Sequence, residues 1–135
     1  MVLVDHSGSN QTISEHLRNS SGHLTALMRI VAPDAEVAFT YFSDHKDGVR
    51  CQQYSDFIPP TEQGDKVLYS SLDRVQPAHG QDIPEAIECA LRDAAEVNFA
   101  HVAPKDRTLV LVTDSVPHGM EGYTGTDDGC PHQVG

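Results

Sequence analysis

The sequence has few basic residues: nine lysines and arginines stand against twenty aspartates and glutamates among 135 residues, so the formal net charge is −11. Nucleic acids and anionic membrane surfaces are bound through positive patches, and this balance therefore argues against both as partners. It is compatible with binding of cations or of a basic protein. The acidic residues are scattered along the chain, which indicates that most of them lie on a solvated surface.

Long apolar segments are also missing. No stretch approaches the length of a membrane span, and the first residues lack a basic region followed by an apolar core, so we expect neither a membrane helix nor a secretory signal. The three cysteines, Cys51, Cys89 and Cys130, are widely spaced and odd in number, which does not fit a disulfide scaffold. We therefore expect a reducing, cytoplasmic compartment, with Cys89 packed in the core.

The apolar patterns predict four strands. Short apolar runs at residues 2–4 and 108–113 are typical of strands covered on both faces of a parallel sheet. Residues 36–42 are rich in β-branched and aromatic side chains and predict another strand, and residues 51–57 predict a more polar edge strand.

Helical spacing predicts helices at about residues 11–31, at 62–75 and from Pro84 onward. The face of the first helix that we expect to be buried consists of Ile13, Leu17, Leu24, Leu27, Met28 and Val31. Because strands alternate with helices, we expect an α/β, Rossmann-like three-layer fold with a mostly parallel sheet. It forms one domain over residues 1–135, with residues 115–135 largely irregular.

Oxygen-bearing side chains follow the first predicted strand. In V-L-V-D-H-S-G-S-N (residues 2–10), Asp5, Ser7 and Ser9 alternate along a strand-to-helix loop. This spacing allows a turning backbone to aim three hard oxygen donors at one point, and Mg²⁺ and Mn²⁺ prefer such donors. The competing interpretation is that Ser7 or Ser9 caps the next helix, and the motif alone favours neither.

Two other segments carry aspartates toward the same edge of the sheet. Asp114 ends the last predicted strand, and Asp82 precedes the third helix. Asp82 and Glu85 also have the three-residue offset of a helix-start capping pair, and Asp82 taken singly fits that role better. Ligands of open α/β sheets bind at the carboxyl ends of the strands. The convergence of three segments at this edge favours a shared divalent cation.

These segments resemble the von Willebrand factor type A (VWA) family. D-H-S-G-S (residues 5–9) matches its D-x-S-x-S motif, and L-V-L-V-T-D (109–114) matches the strand and aspartate that close its metal-ion-dependent adhesion site (MIDAS). The most similar branch is the one found in hemicentin-like and alpha-kinase-associated proteins. Its G-G-G-D-x-P-E segment corresponds to G-Q-D-I-P-E (80–85), and its aromatic-x-D-H and T-D-x-x-P-H-G segments correspond to 41–45 and 113–119.

The resemblance implies a short or C-terminally truncated VWA domain that binds one Mg²⁺ or Mn²⁺. The implied metal ligands, of which Asp82 acts directly or through water, are Asp5, Ser7, Ser9, Asp82 and Asp114. Most of the family has a threonine as the middle ligand, and simple alignment places Gln81 at that position, beside Asp82. The residues implied to contact a partner are His6, which we expect to point outward, His45 and His118.

The function implied is that of a non-enzymatic binding module. A carboxylate of a partner protein fills an open position on the cation, whose charge allows an acidic group to dock on an acidic domain. The alternative is a magnesium-dependent phosphohydrolase or phosphoryl-transfer domain, with the metal held by Asp5 and Asp114 and with His118 or His45 as acid or base. Serines in place of a second aspartate in the Asp5 loop weaken that alternative.

The strand at residues 108–113 is expected to lie beside the first strand, at an edge of the sheet. The family usually continues with two further strands, whereas the residues after Asp114 contain few apolar side chains. The strand also lacks the lysine, proline or glycine that protects exposed edges. We therefore expect a homodimer, or a complementing chain from a partner protein, to contact it.

Overall fold

The computed structural model describes residues 1–8, 10–43, 52–53, 56–75, 86–96 and 102–116. Within these ranges the order of elements is β1 (Val2–Asp5), α1 (Gln11–Val31), β2 (Phe39–Phe42), β3 (Gln52–Gln53), α2 (Glu62–Leu72), α3 (Ile87–Glu96) and β4 (Val110–Val112), with a 3-10 turn (Pro104–Asp106) before β4. None of the helices in these ranges is long and apolar enough to cross a membrane.

The four strands form one sheet in the order β3-β2-β1-β4. β1 runs parallel to both β2 and β4, with Val4 opposite Tyr41 on one side and Val112 on the other. β3 pairs antiparallel to β2 at one edge, and β4 lies beside β1 at the other edge. These pairings confirm the α/β, Rossmann-like fold class with a mostly parallel sheet.

Side chains of successive strand residues point to opposite faces of the sheet, and each face has its own core. On one face Val4, Phe39 and Tyr41 pack with Leu68 and Leu72 of α2, and α1 adds partly buried residues to this cluster. On the other face the cluster joins strand residues to α3, and its members are Met1, Leu3, Ala38, Phe42, Ile87, Ala90 and Ala94. The sheet is therefore the middle of three layers.

The ends of α1 and α2 follow from local sequence signals. α1 ends at Val31, two residues before Pro33, and the N–H of Ala32 still donates to the carbonyl oxygen of Met28. α2 begins after Thr61, whose hydroxyl accepts a hydrogen bond from the N–H of Gly64 at 3.0 Å. This is the usual role of a threonine at a helix N-terminus.

α1 buries a face that the apolar periodicity did not indicate. Its fully buried residues are Ser14, Ser21 and Thr25. Exposed fractions between 38% and 67% are found for four residues of the face that we expected to be buried, namely Ile13, Leu24, Leu27 and Val31. The expectation is wrong for these four, although Leu17 and Met28 do pack against the core.

Small residues on the buried face of α1 allow a close approach to α2. A Cβ atom added at Gly22 would overlap the hydroxyl group of Tyr69 in α2. The hydroxyl groups of Ser21 and Thr25 bond to carbonyl oxygens of α1 itself, at 2.7 and 3.1 Å, so their burial leaves no hydroxyl unpaired. An ion pair between Arg29 and Asp65 also joins the two helices.

Cys89 lies on the buried side of α3 and has no exposed surface, as expected for a core residue, but it is disulfide-bonded. A disulfide does not fit the reducing compartment that we expected from the cysteine count, and that argument for a cytoplasmic location no longer holds. Cys51 and Cys130 lie outside the described residues.

Candidate metal centre

Asp5 is the last residue of β1 and lies at the carboxyl edge of the sheet, opposite Phe42 at the end of β2. Its side chain is completely buried, at 0% exposure. The backbone N–H of Ser7 donates to its Oδ1 at 2.9 Å, and the hydroxyl of Thr113 donates to its Oδ2 at 2.7 Å. Because the two donors come from the loops after β1 and β4, the carboxylate is fixed in orientation from two sides.

The Asp5 carboxylate has no basic partner in the described parts of the chain. The ion pairs found there join Arg29 to Asp65 and Arg92 to Glu96. A buried charge without an opposite charge is strongly destabilising, and two hydrogen bonds from neutral donors offset only part of that penalty. A divalent cation beside Asp5 would supply the missing positive charge.

Asn10 organises the loop that follows β1. It is completely buried, its Nδ2 donates to the backbone oxygen of Asp5 at 2.9 Å, and its backbone N–H donates to the carbonyl oxygen of Ser7 at 3.1 Å. Its other amide atom, Oδ1, is buried and has no hydrogen-bond donor within the described ranges. This oxygen is therefore a further acceptor for a water molecule or cation in the loop, and our sequence prediction did not include it.

Of the predicted metal ligands, Asp5, Ser7 and Asp114 lie among the described residues. Ser7 is buried next to Asp5, and Asp114 is exposed in the loop after β4, with its Oδ1 3.5 Å from the hydroxyl of Ser115. The contact between Thr113 and Asp5 brings these two loops together. Ser9, Gln81 and Asp82 lie outside the described residues, so the identity of the middle ligand stays a prediction.

The predicted ligands among the described residues carry only oxygen donors. No group of three or more histidines, cysteines, aspartates or glutamates that could hold a metal ion occurs in the portion of the chain that is described. The predicted set contributes two carboxylates there, from Asp5 and Asp114, and its remaining described ligand is the Ser7 hydroxyl. Such a set fits Mg²⁺ or Mn²⁺, which take hard oxygen ligands and keep several waters.

His6 is turned into the protein, and the expectation that it points outward is wrong. Its side chain is buried, its Nδ1 lies 2.7 Å from the hydroxyl of Ser14 in α1, and its ring packs edge-on against Tyr41 with centroids 5.4 Å apart. His6 therefore anchors the loop after β1 to α1 and β2. His45 and His118, the other residues implied to contact a partner, lie outside the described residues.

Thr113 is the second residue of this centre that the sequence prediction missed. Its hydroxyl accepts a hydrogen bond from the N–H of Ser115 at 3.0 Å while it donates to Asp5. The signal available in the sequence was its place between a strand and Asp114, where its side chain reaches the same edge of the sheet as Asp5.

We expect Thr113→Val to lower the free energy of unfolding of the metal-free chain by about 1–2 kcal/mol, because a charged acceptor loses its donor and the N–H of Ser115 loses its acceptor. Valine keeps the branched shape, so packing changes little. Thr113→Ser keeps the hydroxyl and is the matched control. Urea denaturation measures both, and equal losses in the two variants would mean that the hydroxyl does not support Asp5.

No family model matches this chain, and no curated protein matches it significantly. The hypothesis of a metal centre therefore depends on the residues described above.

Proposed function

We propose that this chain is a metal-dependent protein-binding module of the VWA type, which docks a carboxylate of a partner protein on a divalent cation. The cation is Mg²⁺ or Mn²⁺, and the proposed ligands, with Asp82 acting directly or through water, are Asp5, Ser7, Ser9, Asp82 and Asp114. One observation carries the proposal. The Asp5 carboxylate is fully buried, held by Ser7 and Thr113, and without a basic partner among the residues that are described.

The donor types support a site that keeps one position for an external ligand. Serine hydroxyls are neutral, so a cation held partly by them retains more positive charge than one held only by carboxylates. A carboxylate from another molecule is then a favourable last ligand. Since the chain itself has a net charge of −11, an acidic group would be repelled without the metal. Binding of carboxylates should therefore require the cation.

We expect the full chain to bind a fluorescent peptide pool that has a fixed central glutamate in the presence of Mg²⁺. Binding should weaken about tenfold or more, which is ~1.4 kcal/mol, in a chelator or when glutamine replaces the glutamate. Fluorescence anisotropy measures all four combinations of metal and peptide. Equal binding of both pools, or binding that persists in the chelator, would contradict the proposal.

The same samples test the enzyme alternative. They are incubated with p-nitrophenyl phosphate and Mg²⁺, and the release of nitrophenol is followed. We expect no turnover. Turnover that Asp5→Asn abolishes would favour the magnesium-dependent phosphohydrolase or phosphoryl-transfer domain, with Asp5 and Asp114 holding the metal.

A further inference from the structure

β4 is only partly covered on both of its faces. Strands of parallel sheets are normally covered on both sides, because crossover helices lie on the faces. Here Val110 and Leu111, which point to opposite faces of the sheet, are 45% and 39% exposed. β4 is also the last strand on its side of the sheet, within the ranges that are described. An apolar strand with this exposure is a candidate site for contact with another molecule.

A groove between α1 and β4 continues this surface. It encloses a cavity of about 710 Å³, and its apolar lining residues include Val2, Leu24, Met28, Val37, Phe57 and Val110. Leu27 and Val31 extend the apolar surface along α1, since they follow Leu24 at helical spacing and are 56% and 67% exposed. We call this surface the α1–β4 groove. It lies at the amino ends of the strands, whereas Asp5 lies at the carboxyl edge.

The polar lining of the α1–β4 groove is mainly acidic. Three carboxylates line it, those of Asp34, Glu36 and Asp106, and the positive groups are the guanidinium of Arg107 and the part-buried amino terminus of Met1, which donates to the carbonyl oxygen of Thr108. Asp34 and Asp106 are exposed to solvent, so their carboxylates meet whatever enters the groove. A ligand that covers the apolar floor therefore meets a net negative rim.

We propose that the α1–β4 groove docks a basic amphipathic helix of a partner protein. Its apolar face would lie on Leu24, Met28 and Val110, and its lysines or arginines would lie near Asp34 and Asp106. This is the usual way in which a helix binds an apolar groove. A helix fits better than a strand, because β4 is an apolar strand of a parallel sheet, and such strands are normally covered by helices.

Charge favours a basic helix over two other candidates for the groove, a second copy of this chain and residues 117–135 of the chain itself. A second copy would bring an identical acidic rim and a net charge of −11, and the two molecules would repel each other. Residues 117–135 contain Glu121, Asp127 and Asp128 but no lysine or arginine, so their sequence offers no complement to the rim.

The test uses the full chain and a fluorescein-labelled synthetic peptide of about 18 residues, with leucines on one helical face and lysines on the other. One control peptide has glutamate in place of lysine. A second has the same composition in a shuffled order without an apolar face. We expect the lysine peptide to bind and both controls to bind about tenfold more weakly, as measured by fluorescence anisotropy.

Matched variants locate the binding site. Leu24 and Leu91 are both 38% exposed, but Leu24 lies in the groove and Leu91 lies on α3, on the other face of the sheet. We expect Leu24→Gln to weaken binding of the lysine peptide about tenfold and Leu91→Gln to leave it unchanged. Asp106→Asn should also weaken binding of the lysine peptide. Asp73 is an exposed carboxylate after α2 and outside the groove, so Asp73→Asn should leave the binding unchanged. Circular dichroism confirms that each variant is folded.

Three results of the peptide and light-scattering measurements would overturn the proposal. They are equal binding of the lysine peptide and its controls, no binding of the lysine peptide, and a concentration-dependent dimer in light scattering that Leu24→Gln dissociates, since a second copy would then fill the groove. Chelator and Asp5→Asn should leave peptide binding unchanged. Binding that needs the cation would place the peptide at the opposite edge of the sheet and would also overturn the proposal. The proposal for the groove and the proposal for the metal centre are therefore tested independently.

Discussion

Asp5→Asn is expected to abolish the stabilisation of the chain by Mg²⁺ while leaving the metal-free protein at least as stable as the wild type. Asparagine keeps the shape of the side chain, and it can still accept from the N–H of Ser7 and bond to the hydroxyl of Thr113. It removes a buried charge that lacks a basic partner among the described residues, which favours the folded state in the absence of metal. The cation, however, loses its central carboxylate.

The size of the expected difference follows from linkage between binding and folding. A ligand that binds only the folded state at about 100 times its dissociation constant stabilises it by about 2.7 kcal/mol. Thermal unfolding in Mg²⁺ and in chelator measures this gain for the wild type, and we expect no gain in Asp5→Asn. Asp73→Asn, which removes an exposed carboxylate, should keep the full gain. A gain in Asp5→Asn equal to that of the wild type would contradict the role of Asp5.

Leu68→Ala is expected to lower the free energy of unfolding by about 2–5 kcal/mol, because it leaves a cavity in the core between α2 and the sheet. Leu68 has no exposed surface and packs in the same cluster as Val4 and Phe39. Leu27→Ala in α1 is the matched control: Leu27 is 56% exposed, and its removal should change stability by no more than about 0.5 kcal/mol.

This pair also tests which face of α1 is buried. The apolar periodicity of the sequence places Leu27 in the core, whereas the structure places it in solvent beside the α1–β4 groove. Urea denaturation of both variants decides between the two arrangements. A loss in Leu27→Ala as large as that in Leu68→Ala would mean that α1 packs through its leucine face.

The order of elements could be predicted because its signals are local. Pro33 follows the end of α1, and the apolar run at β1 is too short for a helix. The buried face of α1 could not be predicted in the same way. It depends on contacts with residues outside the helix, since Ser14 meets His6 and Gly22 meets the hydroxyl of Tyr69. Periodicity identifies an apolar face, but it does not tell whether this chain or another molecule covers it.

The residues of the candidate metal centre could be predicted only in part. Strand ends at the carboxyl edge of a parallel sheet placed Asp5 and Asp114 on the same side of the fold. The bond from Thr113 to Asp5 joins residues 108 positions apart, and no short pattern contains it. The orientation of His6 did have a signal. His6 follows Val4 by two positions, and strand alternation turns both toward the face that α1 covers.

The most direct test of the central claim is X-ray diffraction, at the manganese absorption edge, from crystals of the full chain grown with Mn²⁺. We expect one anomalous peak at the carboxyl edge of the sheet, within coordination distance of the Ser7 hydroxyl and beside Asp5 and Asp114. A structure of the folded chain with millimolar Mn²⁺ and no peak at this edge would contradict the claim.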